Sequence, residues 1–443
     1  MKLTIGAIAL AAAFTAPELS QAQDIDWQQQ SGTTLKLLFN EHPWTEGLRP
    51  HIEEFEALTG IDVELTALAE DLYSDRMNLA VRSKKSVADV YFVPMDGAAY
   101  EQYQAGAMTS LTPYIDDVSK TAADYDLADI PASFRLGATF PPGDPSAELY
   151  SMPIAFEAYT LFYNKEIVDE YLDGVVPTTM DDLVAAAQMI TEESGGKIFG
   201  ATMRGQRSAS LVDTLTGVVL NDWGGAEATL PQNIWFDGDW DKPRFNDPKI
   251  ASGLAHYAGL LKAGPPNILS FNWSDASRFF SQGRAAFFID ASLFGPGFED
   301  PASSKIAGNV GYAPLPAANG NVGHHGHWLW GLSVPANSEN ADAAWLFIQW
   351  ATSKEMDVAI GKSTGGAPRL STWDNADYTS SLDAGYVTAL QTAMLNTNPT
   401  VVFTEGWGEV VIQIVDTIHE IYAGKDPQEA VESLQVRAVE VLQ

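Results

Sequence analysis

The spacing of apolar positions in the N-terminal part of the chain predicts alternating strands and helices. Residues 35–39 form an apolar run typical of a buried strand, and apolar residues at helical spacing follow it until Gly60. A second strand at 61–65 alternates apolar and polar positions, and a helix over 73–83 leads to a third buried strand at 90–93. This order of elements predicts an α/β fold with an open, mostly parallel sheet.

The loops that follow these strands are the expected ligand-binding positions. Open α/β sheets bind ligands beyond the carboxyl ends of their strands. In this chain those loops are 40–44, 69–73 and 95–97.

A second α/β segment follows a Pro- and Gly-rich stretch at 141–145, which predicts an exposed loop. Thr179 and Asp182 have the spacing of a capping box ahead of an amphipathic helix. Further strands are predicted at 285–289, from 310 and at 332–334, with a helix over 343–351 and a helical C-terminal region. A chain of 443 residues exceeds what one hydrophobic core supports, so two or three domains are expected.

The first residues have the composition of a secretory signal peptide. Lys2 precedes an apolar run over 3–14, and the small residues Ser20 and Ala22 follow a break at Pro17. The apolar run is too short to anchor the chain across a bilayer. We therefore expect a signal peptide over 1–22, cleaved near Ala22, and export of the mature chain to the periplasm.

Composition narrows the range of partners. The chain has 58 acidic and 25 basic residues, a net charge of −33, and so acidic a surface repels nucleic acid and anionic lipid. It has no cysteine, which excludes disulfides, thiolate metal sites and catalytic thiols. Nucleic acid is therefore not expected as a partner.

Familiar catalytic and cofactor motifs are missing from the sequence. The segment around Lys362 lacks the phosphate-loop glycine, because Met356 stands in its place, and no GxSxG or HExxH occurs. His324, His325 and His327 raise the hypothesis of a zinc or copper site, although a surface loop is the simpler interpretation. Acid pairs are frequent in so acidic a chain, so a two-carboxylate glycosidase stays open as an alternative. No catalytic residue and no cofactor are predicted.

Six segments, in the family's order, resemble the sugar-type extracellular solute-binding proteins of ATP-driven importers. The clearest is 150–166, which reads YSMPIAFEAYTLFYNKE and resembles the segment that crosses between the two lobes in that family. The others are 103–114, 177–183, 280–288, 332–353 and 365–369. Together they cover most of the mature chain.

The resemblance implies the type II periplasmic-binding-protein fold. In this fold two discontinuous α/β lobes, each a mostly parallel sheet flanked by helices, close on a ligand by a hinge motion. The matched segments place lobe 1 at 31–157 plus 306–353, and lobe 2 at 158–305 plus 354–443.

The resemblance also implies candidate ligand contacts. Glu157 matches a ligand-facing acid at the crossover, and Trp407 matches an aromatic residue on which a sugar ring stacks. Arg204 resembles an arginine that binds hydroxyls in the branch for polyols and monosaccharides, whereas the usual tryptophan after the strand at 285–289 is replaced by Leu293 and Phe294. The candidate set is His42, Trp44, Tyr73, Asp96, Glu157, Arg204, Gln206, Trp223, Asp290, Trp328 and Trp407.

By this resemblance the chain is a monomeric, non-enzymatic receptor that delivers a sugar or sugar alcohol to the permease subunits of an ABC importer. The residue types suit that ligand, because carboxylates and arginine hydrogen-bond hydroxyls while aromatic rings cover C–H faces. Two alternatives stay open. One is a secreted carbohydrate-active hydrolase, and the other is a binding protein for a metal ion or for a sugar acid held by Arg204 and Arg207.

Overall fold

The computed structural model describes residues 25–223, 232–238, 240–317, 325–395, 397–399 and 402–443. Within them the strands are β1 (Thr34–Asn40), β2 (Asp62–Leu68), β3 (Val90–Pro94), β4 (Thr139–Phe140), β5 (Glu148–Leu149), β6 (Met152–Asn164), β7 (Phe199–Thr202), β8 (Ala285–Ala291), β9 (Val310–Ala313), β10 (His325–Ser333) and β11 (Thr397–Pro399).

The helices of the first half are α1 (Pro43–Leu48), α2 (Ile52–Thr59), α3 (Glu70–Arg82), α4 (Gly97–Gln104), α5 (Thr112–Ile115), α6 (Ala132–Arg135), α7 (Lys165–Leu172), α8 (Met180–Glu193) and α9 (Ser210–Trp223). Those of the second half are α10 (Gln232–Trp235), α11 (Pro248–Lys262), α12 (Trp273–Ser281), α13 (Gly295–Phe298), α14 (Ala341–Ala351), α15 (Lys354–Thr364), α16 (Leu370–Trp373), α17 (Ala376–Thr379), α18 (Ala384–Leu395), α19 (Trp407–Tyr422) and α20 (Pro427–Leu442). No helix in the described residues combines the length and the apolar character needed to cross a bilayer.

The main sheet has parallel ends and an antiparallel centre. Its strand order is β2-β1-β3-β10-β6-β8-β7, with β9 paired to β6 and β11 to β10. The pairs β1–β2, β1–β3 and β7–β8 are parallel, and the predicted α/β fold is confirmed. In the middle, β10 is antiparallel to β3 and β6, and β6 is antiparallel to β8.

Buried side chains form two hydrophobic cores. Core 1 contains side chains of β1–β3, the first half of β6, the end of β10 and α14–α18. Core 2 contains those of the second half of β6, β7–β9, α7–α13, α19 and α20. The two cores divide the sheet at its antiparallel centre.

The helices α15–α18 pack with core 1, whereas the matched segments assigned everything after residue 353 to lobe 2. Met356, Ile360 and Tyr378 are buried in core 1; α17 packs against α15, and α15 packs against α1. The two helices approach closely at Gly47, where a Cβ atom would lie 2.9 Å from the Ser363 hydroxyl oxygen.

Strand β6 passes from one core to the other. Phe156 and Ala158 are buried in core 1, and Tyr159 and Leu161 are buried in core 2. On the neighbouring strand β10, Trp328 packs against both cores. The midpoints of β6 and β10 therefore form the boundary at which a cleft can open.

Candidate ligand-binding cleft

A cavity of about 610 Å³ lies between the two cores, within the range of roughly 300–1,000 Å³ typical of small-molecule sites. Core 1 contributes the end of β1, the start of α3, and residues of β10 and α15. Core 2 contributes the loops after β7 and β8 and the helices α9 and α12. The lining residues are Asn40, Glu41, His42, Pro43, Glu70, Glu157, Tyr159, Arg204, Ser210, Asp213, Trp273, Ser274, Ser277, Arg278, Ser281, Leu293, Phe294, Gly297, Phe298, Ser303, Trp328, Trp330 and Ser363.

His42 is held in one tautomer by its position at the start of α1. It is the N-cap residue, Pro43 follows at the first helical position, and the His42 Nδ1 accepts a hydrogen bond from the Trp44 N–H at 3.1 Å. Because Nδ1 is an acceptor, the ring proton resides on Nε2. That nitrogen lies 3.2 Å from Glu157 Oε1 and donates to it.

Glu157 is the buried acid at the crossover. It lies at the middle of β6, directly opposite Trp328 of β10, and is 5% exposed. Its only ion-pair partner in the described residues is His42, which leaves carboxylate lone pairs for a ligand. Asn40 lines the same wall and its buried side-chain oxygen has no hydrogen-bond partner within the described part of the chain.

Arg204 lies on the core 2 wall and is bound from behind by Asp290. Its Nε is 2.9 Å from Asp290 Oδ2, its Nη2 is 2.5 Å from Oδ1, and its Nη1 donates to the Ser210 carbonyl at 2.8 Å. Asp290 is fully buried on β8. Burial alone would lower the pKa of Arg204, but the Asp290 carboxylate outweighs it and raises that pKa, so the guanidinium stays charged.

Asp213, on the first turn of α9, adds a second acid to this wall. Burial raises its pKa well above the ordinary range. Arg204 opposes the rise, while Asp96, Glu70 and Asp290 add to it. Carboxylates from both sides of the cleft thus affect one another.

Aromatic rings cover the rest of the cavity. Trp328 and Trp330 stand edge to face on β10, with ring centres 6.0 Å apart. Opposite them, Trp273 at the start of α12 lies 5.9 Å from Phe294 at an angle of 30°. Phe294 therefore lines the cavity at the position where the resemblance implies a tryptophan in other members of the family.

Four predicted contact residues line this cavity: His42, Glu157, Arg204 and Trp328. Asp290 supports the site from behind through Arg204. Trp44 and Tyr73 are buried in core 1, where the Tyr73 hydroxyl donates to the Phe92 carbonyl.

The remaining candidates are placed elsewhere. Asp96 caps α4 by accepting from the Ala98 N–H at 2.8 Å, and burial raises its pKa to about 7. Gln206 is exposed. Trp407 is stacked on Phe245 at 6.3 Å and contacts Trp235 at 6.1 Å. The Trp223 side chain lies outside the described residues.

Sequence reasoning missed Trp273, Asp213 and Trp330. Trp273 follows Asn272, which forms a capping box with Asp275, so the pattern indicated only the beginning of a helix. Trp330 belongs to an aromatic pair two residues apart on one strand, a spacing that puts both rings on one face. This spacing was the one feature of the sequence that could have indicated Trp330 as a cavity residue.

The described residues contain no group of three or more His, Cys, Asp and Glu side chains arranged to hold a metal ion. His327 is buried, with Nδ1 2.7 Å from the Thr397 hydroxyl oxygen, and burial lowers its pKa to about 3. His324 and the side chain of His325 lie outside the described residues, so the histidine hypothesis is tested only at His327.

Two curated proteins of known ligand are similar over much of the chain. The erythritol/L-threitol-binding protein of Mycolicibacterium smegmatis is 27% identical over 92% of this chain and 86% of its own length. The mannitol-binding protein of Pseudomonas aeruginosa is 27% identical over 72% of this chain and 70% of its own length.

A solved structure has the same fold. An ABC transporter solute-binding protein from Agrobacterium radiobacter, in complex with ribitol, superposes with a TM-score of 0.76 at 24% identity, over 93% of this chain and 99% of its own. Residues 41–358 match the family described as bacterial extracellular solute-binding protein, which spans most of the described chain. This chain belongs to the bacterial extracellular solute-binding protein family.

Proposed function

We propose that the protein is the substrate-binding component of an ABC importer and captures a sugar alcohol or sugar in the cleft between cores 1 and 2. The observation that carries this proposal is the composition of the cavity wall. Hydrogen-bonding groups (Asn40, His42, Glu157 and Arg204) and indole rings (Trp273 and Trp328) line one space. Relatives named for erythritol, threitol and mannitol support a polyol as the ligand class.

The chemistry of a polyol matches both parts of this wall. Every carbon carries a hydroxyl, and carboxylate and guanidinium groups form short, charge-assisted hydrogen bonds with hydroxyls. The C–H groups between them are apolar and pack on indole rings, which bury large area with little loss of side-chain entropy.

The receptor role explains why both cores contribute. A ligand that contacts Glu157 and Arg204 together favours the closed arrangement of the two cores over the open one. We propose that the closed form is presented to permease subunits after export to the periplasm and removal of a signal peptide near Ala22. The matched relatives are binding proteins, and we propose that this chain has no catalytic activity of its own.

A thermal-shift screen tests the ligand class. Erythritol, ribitol, D-mannitol and maltose are added separately, and a true ligand at about 100 times its Kd stabilises the protein by about 2.7 kcal/mol. We expect at least one polyol to raise the melting temperature and to be recovered unchanged by chromatography. Release of a product would favour the hydrolase alternative, and a response to none of the four would contradict the proposal.

A further inference from the structure

The charges of the cleft indicate which polyol derivatives it can hold, an inference that rests on the proposed function. We infer that the cleft accepts uncharged and amino-substituted polyols and rejects sugar acids, because Asp290 neutralises Arg204. Asp290 then acts as a specificity-determining residue although it does not line the cavity.

Arg204 is the natural candidate to bind a ligand carboxylate, but its charge is already compensated. Asp290 binds two of its nitrogens, is fully buried and also accepts from the Ala291 N–H at 2.7 Å. A carboxylate held this firmly cannot turn away when a ligand enters. Arg204 keeps unused N–H donors for hydroxyls, since a guanidinium has five of them, but the pair as a unit has no net charge to attract an anion.

The remaining charged groups of the cavity wall favour a cation over an anion. Glu41, Glu70 and Glu157 line the cavity, and the basic side chain besides Arg204 is Arg278. Glu41, Glu70 and Arg278 are exposed, and water screens the charges of all three. A ligand carboxylate would therefore meet the buried Glu157 carboxylate and no uncompensated buried cation.

The binding test uses two series of ligands that differ at one terminal carbon. The first is ribitol, 1-amino-1-deoxy-D-ribitol and D-ribonate, and the second is D-mannitol, 1-amino-1-deoxy-D-mannitol and D-mannonate. Calorimetric titration at pH 7 and low salt measures the affinity of the native protein for each. We expect the acid to bind at least about a hundredfold more weakly than its parent polyol, and the amine within about tenfold of it.

The amine controls for the cost of removing a charged group from water. The acid and the amine both pay that cost, so a difference between them reports the sign of the charge. Equal weakening of amine and acid would overturn the inference, and so would an acid that binds as tightly as its polyol. Both results leave the proposed function standing, because the polyol itself still binds. Failure of both polyols to bind would overturn this inference, and if erythritol and maltose also gave no thermal shift, the proposed function would be contradicted as well.

The variant Asp290→Asn tests whether Asp290 causes the rejection of sugar acids. It keeps the shape of the side chain and removes its charge, so we expect the ratio of acid to polyol affinity to rise at least about tenfold. The matched control is Asp416→Asn, which releases Arg207 from a similar bidentate pair at 2.6 and 2.9 Å on the surface, away from the cavity. An equal rise in both variants, or no rise in Asp290→Asn, would overturn the assignment.

If Asp290→Asn does not fold, Glu157→Gln carries the test. It removes the charge of the buried carboxylate that lines the cavity, so acid binding should improve relative to polyol binding. No change in that ratio would contradict the inference.

Discussion

At the scale of single residues, each wall of the cleft combines a side chain that lines the cavity with a partner that positions it. His42 donates to Glu157, and Asp290 accepts from Arg204. The supporting pairs are far apart in sequence, by 115 and 86 residues. Sequence reasoning identified all four side chains through family resemblance, but their pairing is set only by the three-dimensional fold.

Two tryptophan variants test which ring packs on the ligand. The resemblance implies Trp407, whereas the structure places Trp273 in the cavity wall. Trp273 is 37% exposed and faces the cleft beside Phe294. We expect Trp273→Ala to weaken polyol binding by about 1–2 kcal/mol, or roughly five- to thirtyfold in Kd, with little change in melting temperature.

Trp407→Ala is the matched comparison. Trp407 packs among Trp235, Phe236 and Phe245, so its removal should lower stability by about 2–4 kcal/mol and affect affinity less. Calorimetric titration and thermal melting of both variants decide the question. Lost affinity with an unchanged melting temperature in Trp407→Ala would show that Trp407 is the stacking platform after all.

At the scale of elements, the apolar pattern predicted the first strands and helices but not their final partners. A buried strand has the same apolar run whether its neighbours are parallel or antiparallel, so the reversal at β6 and β10 left no trace in the sequence. Helix α15 likewise buries apolar residues such as Met356 and Ile360, and nothing in its sequence states which core covers them. Helix α15 belongs to core 1 because it packs against α1.

The packing of α15 on α16 places a titratable group in core 1. Asp357 is 7% exposed and accepts from the Thr372 hydroxyl at 2.6 Å. Burial raises its pKa to about 7, against the opposing effects of Thr372 and Arg369. A raised folded pKa means that the native protein holds a proton which the unfolded chain releases above about pH 4, so the stabilisation is lost as pH rises towards 7.

The variant Asp357→Asn measures this effect. As the pH rises from 5 to 8, deprotonation of Asp357 should lower the unfolding free energy of the native protein by on the order of 1–3 kcal/mol. The variant has no carboxyl group at this position and should not show this loss. The stability of the variant relative to the native protein should therefore rise with pH in denaturant titrations. Asp374→Asn, at an exposed position nearby, controls for the loss of one surface charge. Parallel pH profiles for Asp357→Asn and the native protein would contradict the assignment.

At the scale of the whole molecule, the proposed function requires that the two cores approach each other around the ligand. X-ray scattering should give a smaller radius of gyration with a polyol that raises the melting temperature. A polyol that causes no thermal shift serves as the control and should leave the radius unchanged. Binding without compaction would mean that closure is not coupled to the ligand.

The antiparallel pair of β6 and β10 has a mechanical consequence for ligand capture. Glu157 and Trp328 lie where the chain passes between the cores, so we expect them to move little in a closure about this boundary. Trp273 lines the cavity at the start of α12, away from this boundary, and we expect it to move further. We therefore expect a ligand to meet Glu157 and Trp328 first and to be enclosed by Trp273 as the cores close. On this account, changes at Trp273 should alter the rate of polyol dissociation more than the rate of association.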